Sequence, residues 1–318
     1  MSERSQIDSR VTVTGATGLI GPALVSSLRE RGAQVTVLTR DPDRARARLG
    51  EVEAVRWDLM SEPAPAQALA GRDAIVHMAG EPVAQRWSAH AKRAIRDSRV
   101  TGTHNLCEGL AQADPRPRTL ISSSAIGYYG AHGEEPLDED APPGEDYLAR
   151  VCVEWEAAAA AASELGVRVV HVRTGVVLDR GGGALAKMLP PFRLGVGGPV
   201  AGGHQYMPWI HAQDVVGMML AALEDERWSG PINATAPEPV RNRDFASVLG
   251  HVLGRPALLP VPGVALRLLY GEMAQIVTTG ARVMPAKPLV LGYEFAHPQL
   301  EEALRQALAP APAGSRSR

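Results

Sequence analysis

The stretch "VTVTGATGLIGPAL" ties three glycines, Gly15, Gly18 and Gly21, to the end of one β-branched run and the start of one amphipathic run. A glycine triplet in that setting constrains the fold more than any other feature of the chain. It asks for a strand, a tight turn and a helix packed closely on the strand, with the helix amino end aimed at whatever lies over the turn. Gly15 allows the turn, Gly18 lets backbone approach a pyrophosphate, and Gly21 lets helix and strand pack closely. The spacing is Gly-x-x-Gly-x-x-Gly.

The same alternation continues along the first half. After "VTVT" come "LIGPALVSSLRERG", "QVTVLTR", "PDRARARLG", "VEAVRWD" and "DAIVHMAG". A long polar helix follows from about Ser88 to Ala113, then "RTLISSS", a helix opened by Asp146, and "VRVVHVRTG". This rhythm predicts an α/β fold with about six strands in a doubly wound parallel sheet of Rossmann type. The strand runs are almost wholly apolar, as expected where helices cover both faces.

Residues 1–175 read as the nucleotide-binding domain. Beyond Gly175 the chain becomes rich in Gly and Pro, and residues 176–308 read as a smaller C-terminal substrate-side lobe that interleaves with the sheet. Helices are expected near Gln213–Glu224 and Arg243–Leu253. The tail 309–318, "APAPAGSRSR", reads as disordered, because Ala, Pro, Gly and Ser cannot bury enough surface to order it.

Bulk composition narrows the function classes. The 318 residues are 45% hydrophobic, enough for a sizeable core. With 33 basic and 35 acidic residues the net charge is -2, which supplies no field for nucleic acid or an anionic membrane. A small-molecule substrate is the expected partner. Cys107 and Cys152 lack metal-ligand spacing and suit a reducing compartment. The polar start "MSERSQIDSR" has no apolar signal region, so a cytoplasmic protein is expected. The oligomeric state, monomer or homodimer, is left open.

At the end of the second strand run, where an NAD site usually presents an acid, stand Thr39 and Arg40. A hydroxyl and a guanidinium suit a ribose 2′-phosphate, so NADP(H) is the expected cofactor. Two competing readings stay open: Asp41 takes the ribose, or Arg40 is a solvated surface residue. Asp58 after the third run can accept from an adenine amino group. Ala79 and Gly80 after the fourth are small enough for a cofactor to lie close. His77 is as readily a half-buried strand residue as a catalytic one.

Ser122, Ser123 and Ser124 end the fifth run at the carboxyl edge, where ligands of such sheets bind, and Ser124 is the candidate site residue. No Gly-x-Ser-x-Gly elbow supports a hydrolase. His211 and Asp214 find no third ligand at a metal spacing, so no metal is expected. Trp209 is expected to pack at the sheet edge, and Asp214 to cap the next helix. Arg86 and Trp87 suit either an acidic or aromatic substrate or a surface loop.

These motifs carry a resemblance to the extended or atypical short-chain dehydrogenase/reductases. More narrowly, the chain resembles their SDR39U1/YfcH-type NAD-dependent epimerase/dehydratase-like group, which ends in a DUF1731-like segment. The likeness runs from "TGATGLIG" through "AGEPVAQRW", "DSRVTGTHNL", "SSSAIGYYG", "RTGVVLDRGGGALAKMLPPFRLGVGGP" and "YMPWIHAQDVV". It closes on "VPGVALRLLYGEMAQIVTTGARVMPAKPLVLGYEF", within about 261–308.

The resemblance implies cofactor contacts at Thr14, Gly15, Thr17, Gly18, Leu19, Ile20 and Gly21. It adds Thr39, Arg40, Asp58, Leu59, Ala79, Gly80 and Glu81. Ser124 falls beside the nicotinamide, and Tyr147 at the position of the superfamily's catalytic tyrosine. The expected Tyr-x-x-x-Lys is broken by Val151, and relatives commonly carry Phe at the tyrosine position. The expected function is an NADP(H)-dependent oxidoreductase on a small carbonyl or alcohol. A nucleotide-sugar epimerase and a non-catalytic NADP(H) sensor are the alternatives. Tyr147 is expected to orient or polarise substrate as a neutral phenol, because Val151 offers no charge to lower a pKa of about 10.

Overall fold

The computed structural model describes residues 9–309; all of the expected tail except Ala309 lies outside the described residues. Seven parallel strands build the sheet: β1 Arg10–Thr14, β2 Gln34–Thr39, β3 Glu53–Arg56, β4 Ala74–His77, β5 Thr119–Ala125, β6 Arg168–Thr174 and β7 Gly230–Ala234. Their order across the sheet is β3-β2-β1-β4-β5-β6-β7. The sequence rhythm predicts about six. The seventh comes from beyond residue 175, so the chain returns to the sheet after its Gly- and Pro-rich excursion.

The main helices are α1 Gly21–Glu30, α2 Pro42–Leu49, α3 Ala89–Gln112, α4 Tyr147–Ala160, α5 Gly183–Arg193, α6 Ala212–Glu224, α7 Asn242–Leu253, α8 Gly263–Tyr270 and α9 Leu300–Leu308. Three amino ends are set by local chemistry: Asp41, Ser88 and Asp146 each accept the N–H three residues on, at 3.0, 3.1 and 2.9 Å. Successive strand residues point to opposite faces. Leu120 of β5 therefore joins Leu106, Leu110 and Ala159 from α3 and α4 on one face, while Ile121 joins Leu24, Leu28 and Met219 from α1 and α6 on the other. Among the described residues no helix is long and apolar enough to cross a membrane.

The C-terminal half is stitched on by short pairings. Trp209–His211 runs parallel to Val176–Leu178, Tyr206–Met207 antiparallel to Val240–Arg241, and Arg282–Val283 parallel to Pro136–Leu137. Trp209 is fully buried in a cluster with Phe245 and Leu304. Asp214 does not cap α6, contrary to expectation. His211 does, with Nδ1 accepting from the Gln213 N–H at 3.2 Å. Asp214 instead accepts the Ala296 and His297 N–H groups at 2.7 and 3.1 Å, anchoring the C-terminal segment.

Candidate nucleotide-binding crevice and the strand-end residues

The sheet reverses its winding between β1 and β4, and open α/β sheets hold ligands at that point, at the carboxyl ends of the strands. Gly15 opens the turn there with φ +68°, and a Cβ on it would stand 2.7 Å from the Met78 carbonyl. The turn after β1 thus rests on the end of β4. Thr14 fastens the two strands from below. Its buried hydroxyl accepts the Met78 and Ala79 N–H groups, both at 3.2 Å, and lies 2.7 Å from His77 Nδ1. Having accepted twice, the hydroxyl gives its own proton to Nδ1, so His77 carries its proton on Nε2 and donates it to Thr103 at 3.2 Å. Burial lowers the His77 pKa to about 4 and keeps it neutral. His77 is a lock between strands, and the Thr14 side chain is committed to the same lock.

A Cβ on Gly21 would collide with the Ala16 carbonyl at 2.2 Å, so this glycine lets α1 start against its own turn. Gly18 differs. It is exposed, and a Cβ there would meet only the Gly15 carbonyl, at 3.1 Å, before open space. The α1 amino end behind it has no side-chain cap. Thr17, Leu19 and Ile20 are partly exposed around it. Gly182 and Gly183 pass over Leu19, whose methyls lie 2.8 and 3.0 Å from where their Cβ atoms would be. The second half of the chain therefore closes onto the glycine turn.

Beyond β2, Thr39 accepts the Asp41 N–H at 3.2 Å, and the Asp41 carboxylate is spent on the first turn of α2. Arg40 is exposed and makes no hydrogen bond or ion pair among the described residues. Next to it Asp58 accepts the Met60 N–H at 3.1 Å and the Ser61 hydroxyl at 3.0 Å. Those two bonds, aided by the Arg40 and Arg56 charges, hold its carboxyl below the usual range. The Leu59 carbonyl takes a bond from Asn105 of α3 at 2.8 Å. At the end of β4, Ala79 and Gly80 lead to Glu81, whose N–H donates to Ser98 at 2.9 Å.

The candidate residues at β5 and α4 are each hydrogen-bonded within the protein. Ser124 is only 4% exposed, and its hydroxyl donates to Glu156 Oε1 at 2.6 Å. Glu156 is gripped by Arg173 of β6 in a two-bond fork, Nε to Oε1 and Nη2 to Oε2, both 2.9 Å. Arg173 Nη1 donates to Tyr129 Oη at 2.9 Å and to the Glu139 carbonyl at 3.0 Å, and Tyr129 donates to Asn233 of β7 at 2.7 Å. Burial opposes the Arg173 charge, but the bonds and charge of Glu156 outweigh it and hold the guanidinium pKa above its usual value.

Tyr147 opens α4 and donates to the Lys92 carbonyl of α3 at 2.6 Å. Its ring stands edge-on to Trp87 at 5.2 Å, with Lys92 Nζ 5.1 Å from its centre. Burial raises its pKa, partly opposed by the Arg99 charge. Val151 lies in the core, 3% exposed. No hydrogen bond joins Ser124 to Tyr147 among the described residues. Sequence reasoning missed Glu156, Arg173 and Tyr129; the signal was an arginine inside the apolar run "VRVVHVRTG".

Comparison with known proteins agrees with this architecture. The NAD dependent epimerase/dehydratase family matches residues 11–234, and a domain of unknown function, DUF1731, matches 261–307. The epimerase family protein SDR39U1 homolog, chloroplastic, of Arabidopsis thaliana is 40% identical over 306 residues, covering 96% of this chain and 88% of that protein. The solved structure of human epimerase family protein SDR39U1 (isoform 2) with NADPH superposes with TM-score 0.83 at 35% identity, covering 94% of this chain and 98% of that one. A nucleoside-diphosphate sugar epimerase from Corynebacterium glutamicum follows with TM-score 0.77 at 34% identity, covering 95% of this chain and 59% of that one. With both segments matched in order, the chain belongs to the NAD dependent epimerase/dehydratase family, as an SDR39U1 homologue ending in a DUF1731 domain.

Proposed function

We propose that the protein is an NADP(H)-dependent oxidoreductase acting on a small carbonyl or alcohol. One observation carries the reading: at the β1/β4 crevice Gly18 faces open space and Arg40 makes no hydrogen bond or ion pair among the described residues, while the neighbouring acid, Asp41, is used up capping α2. An open glycine before an uncapped helix suits a pyrophosphate, and a free guanidinium suits a 2′-phosphate. Gly15, Gly18 and the α1 amino end would hold the phosphates, Arg40 and Thr39 the 2′-phosphate, Asp58 the adenine, and Ala79 to Glu81 the nicotinamide half. The human relative solved with NADPH supports the choice. Bound there, the nicotinamide supplies or takes a hydride. Arg40→Ala is expected to weaken NADPH binding about tenfold or more and leave NADH unchanged, read by titration of each nucleotide; equal losses for both would remove Arg40 from the 2′-phosphate.

Ser124 and Tyr147 orient the substrate and do not relay protons as a tyrosine–lysine pair. Each already spends its proton on a protein acceptor, so each offers lone pairs to a ligand. Burial that raises the Tyr147 pKa further disfavours a phenolate at neutral pH. Tyr147→Phe is expected to keep NADPH affinity and to lower turnover by well under the 10²–10⁴-fold that loss of a general acid causes. A loss of that full size, with one limb of the pH profile gone, would make Tyr147 a true proton donor.

The experiment for the activity is NADPH consumption across a panel of small carbonyls. Turnover supports the oxidoreductase. Nucleotide that copurifies through gel filtration, with no net consumption, favours the epimerase reading, which the Corynebacterium glutamicum neighbour also supports. Tight binding without turnover favours a sensor, and Val151 in place of the lysine is the observation on that side.

A further inference from the structure

Three cations follow one another along one side of α3, and the last is left unbalanced. Lys92 pairs with Glu272, and Arg96 with Asp97 and Glu154. Arg99 has no carboxylate within ion-pairing distance among the described residues. Its Nη1 donates to two backbone carbonyls, Glu81 and Ile95, both at 3.0 Å, and its guanidinium lies 5.0 Å from the Trp155 ring centre. These contacts fix the group without neutralising it. Burial lowers its pKa, and from farther away the Cys152 thiol, the Tyr147 phenol and the Glu81 carboxylate act on it.

The place of this charge matters. A Cβ on Gly80 would stand 3.3 Å from Arg99 Cζ, so the guanidinium lies directly against the loop that leaves β4. That loop borders the crevice on the half of the sheet formed by β4, β5 and β6. A dinucleotide laid across such a crevice puts one nucleotide on each half, and the half away from Arg40 and Asp58 receives the nicotinamide. NADPH and NADP⁺ carry the same phosphates and differ at one ring, which is neutral when reduced and positive when oxidised. A fixed, unpaired cation next to that ring repels only the oxidised form.

We infer that Arg99 makes the crevice selective for the reduced cofactor, so that the protein holds NADPH more tightly than NADP⁺. The inference rests on the NADP(H) reading above and deepens it. The expected preference is about tenfold or more, equivalent to about 1.4 kcal/mol. It raises the midpoint potential of the bound two-electron couple by about 30 mV. Tighter binding of the reduced form moves the potential upward because it stabilises the product of reduction.

The test is a pair of calorimetric titrations of the full chain, one with NADPH and one with NADP⁺, on the wild type and on variants of Arg99. Wild type should favour NADPH about tenfold. Arg99→Met, which keeps the apolar stem, should bring the two affinities within about threefold, chiefly by improving NADP⁺ binding; Arg99→Lys should restore the preference. Arg99→Gln, which keeps a donor for the Glu81 and Ile95 carbonyls but carries no charge, should also remove the preference and gives an independent arm if Arg99→Met does not fold. Equal affinities in the wild type overturn the inference while leaving the cofactor assignment intact. A variant that weakens both forms alike also overturns it, because Arg99 would then serve the phosphates. No binding of either nucleotide to the wild type removes the reading on which the inference stands.

Discussion

Arg173→Met is expected to destabilise the fold by about 3–5 kcal/mol, the cost of leaving a buried charge without its partner. The arginine is 3% exposed and Glu156 12% by side chain, and the substitution strands that carboxylate beneath the carboxyl edge of the sheet. It also removes the donor that reaches Tyr129 and the Glu139 carbonyl, and so the link between β6, β7 and the segment before α4. Chemical denaturation reads the effect directly. The double variant Arg173→Met/Glu156→Leu should recover much of the loss, because well-packed apolar groups often replace a buried pair at little net cost. A single variant that loses less than about 1 kcal/mol would place the network in the class of weak surface pairs.

Gly18→Val carries the second large effect, and it falls on binding instead of folding. Gly18 is exposed, its φ is not in the left-handed region, and a Cβ there meets only the Gly15 carbonyl. The fold should therefore tolerate the substitution, with an unchanged far-ultraviolet spectrum and a melting temperature close to wild type. The added branched side chain fills the space through which backbone would approach a pyrophosphate, so NADPH affinity should fall beyond detection. Gly15 makes the contrast. A side chain there strikes the Met78 backbone at φ +68°, and its loss should appear in stability as well. Retained affinity in a folded Gly18→Val protein would contradict the phosphate assignment.

Local periodicity made most of the fold legible. Each of the first six strands sits where a β-branched run predicted it, because apolar runs between amphipathic stretches have few other solutions. The helix over Ala89–Gln112 matches the expected Ser88–Ala113, since Ser88 is a side-chain cap that a sequence displays. The seventh strand was hidden. "GPINA" is five residues long and follows a Gly- and Pro-rich excursion, and its place beside β6 depends on pairing across 60 residues.

The site divides along the same line. Gly15 and Gly18 could be read because their demands are local. Asp41 was open to local reading as well: an aspartate directly before Pro42 is a helix start, and that settles its carboxylate on α2. Ser124 was placed at the strand end correctly, yet its hydroxyl partner was invisible, because Glu156 and Arg173 meet only when α4 packs on β6. Asp214 misled for the same reason. Its partners, Ala296 and His297, arrive from a segment more than 80 residues away. Caps are written in neighbouring residues, whereas carboxylates that bind distant backbone are written only in the fold.

The assignment of the β1/β4 crevice to NADP(H) rests on the exposed Gly18, on Arg40, which makes no hydrogen bond or ion pair among the described residues, and on the Asp41 carboxylate being held by α2. Side-by-side titration of the purified protein with NADPH and NADH tests it most directly. Saturable binding of one nucleotide per chain is expected, with NADPH held at least about tenfold more tightly, or about 1.4 kcal/mol. Equal affinities for the two, or no binding of either, would contradict it.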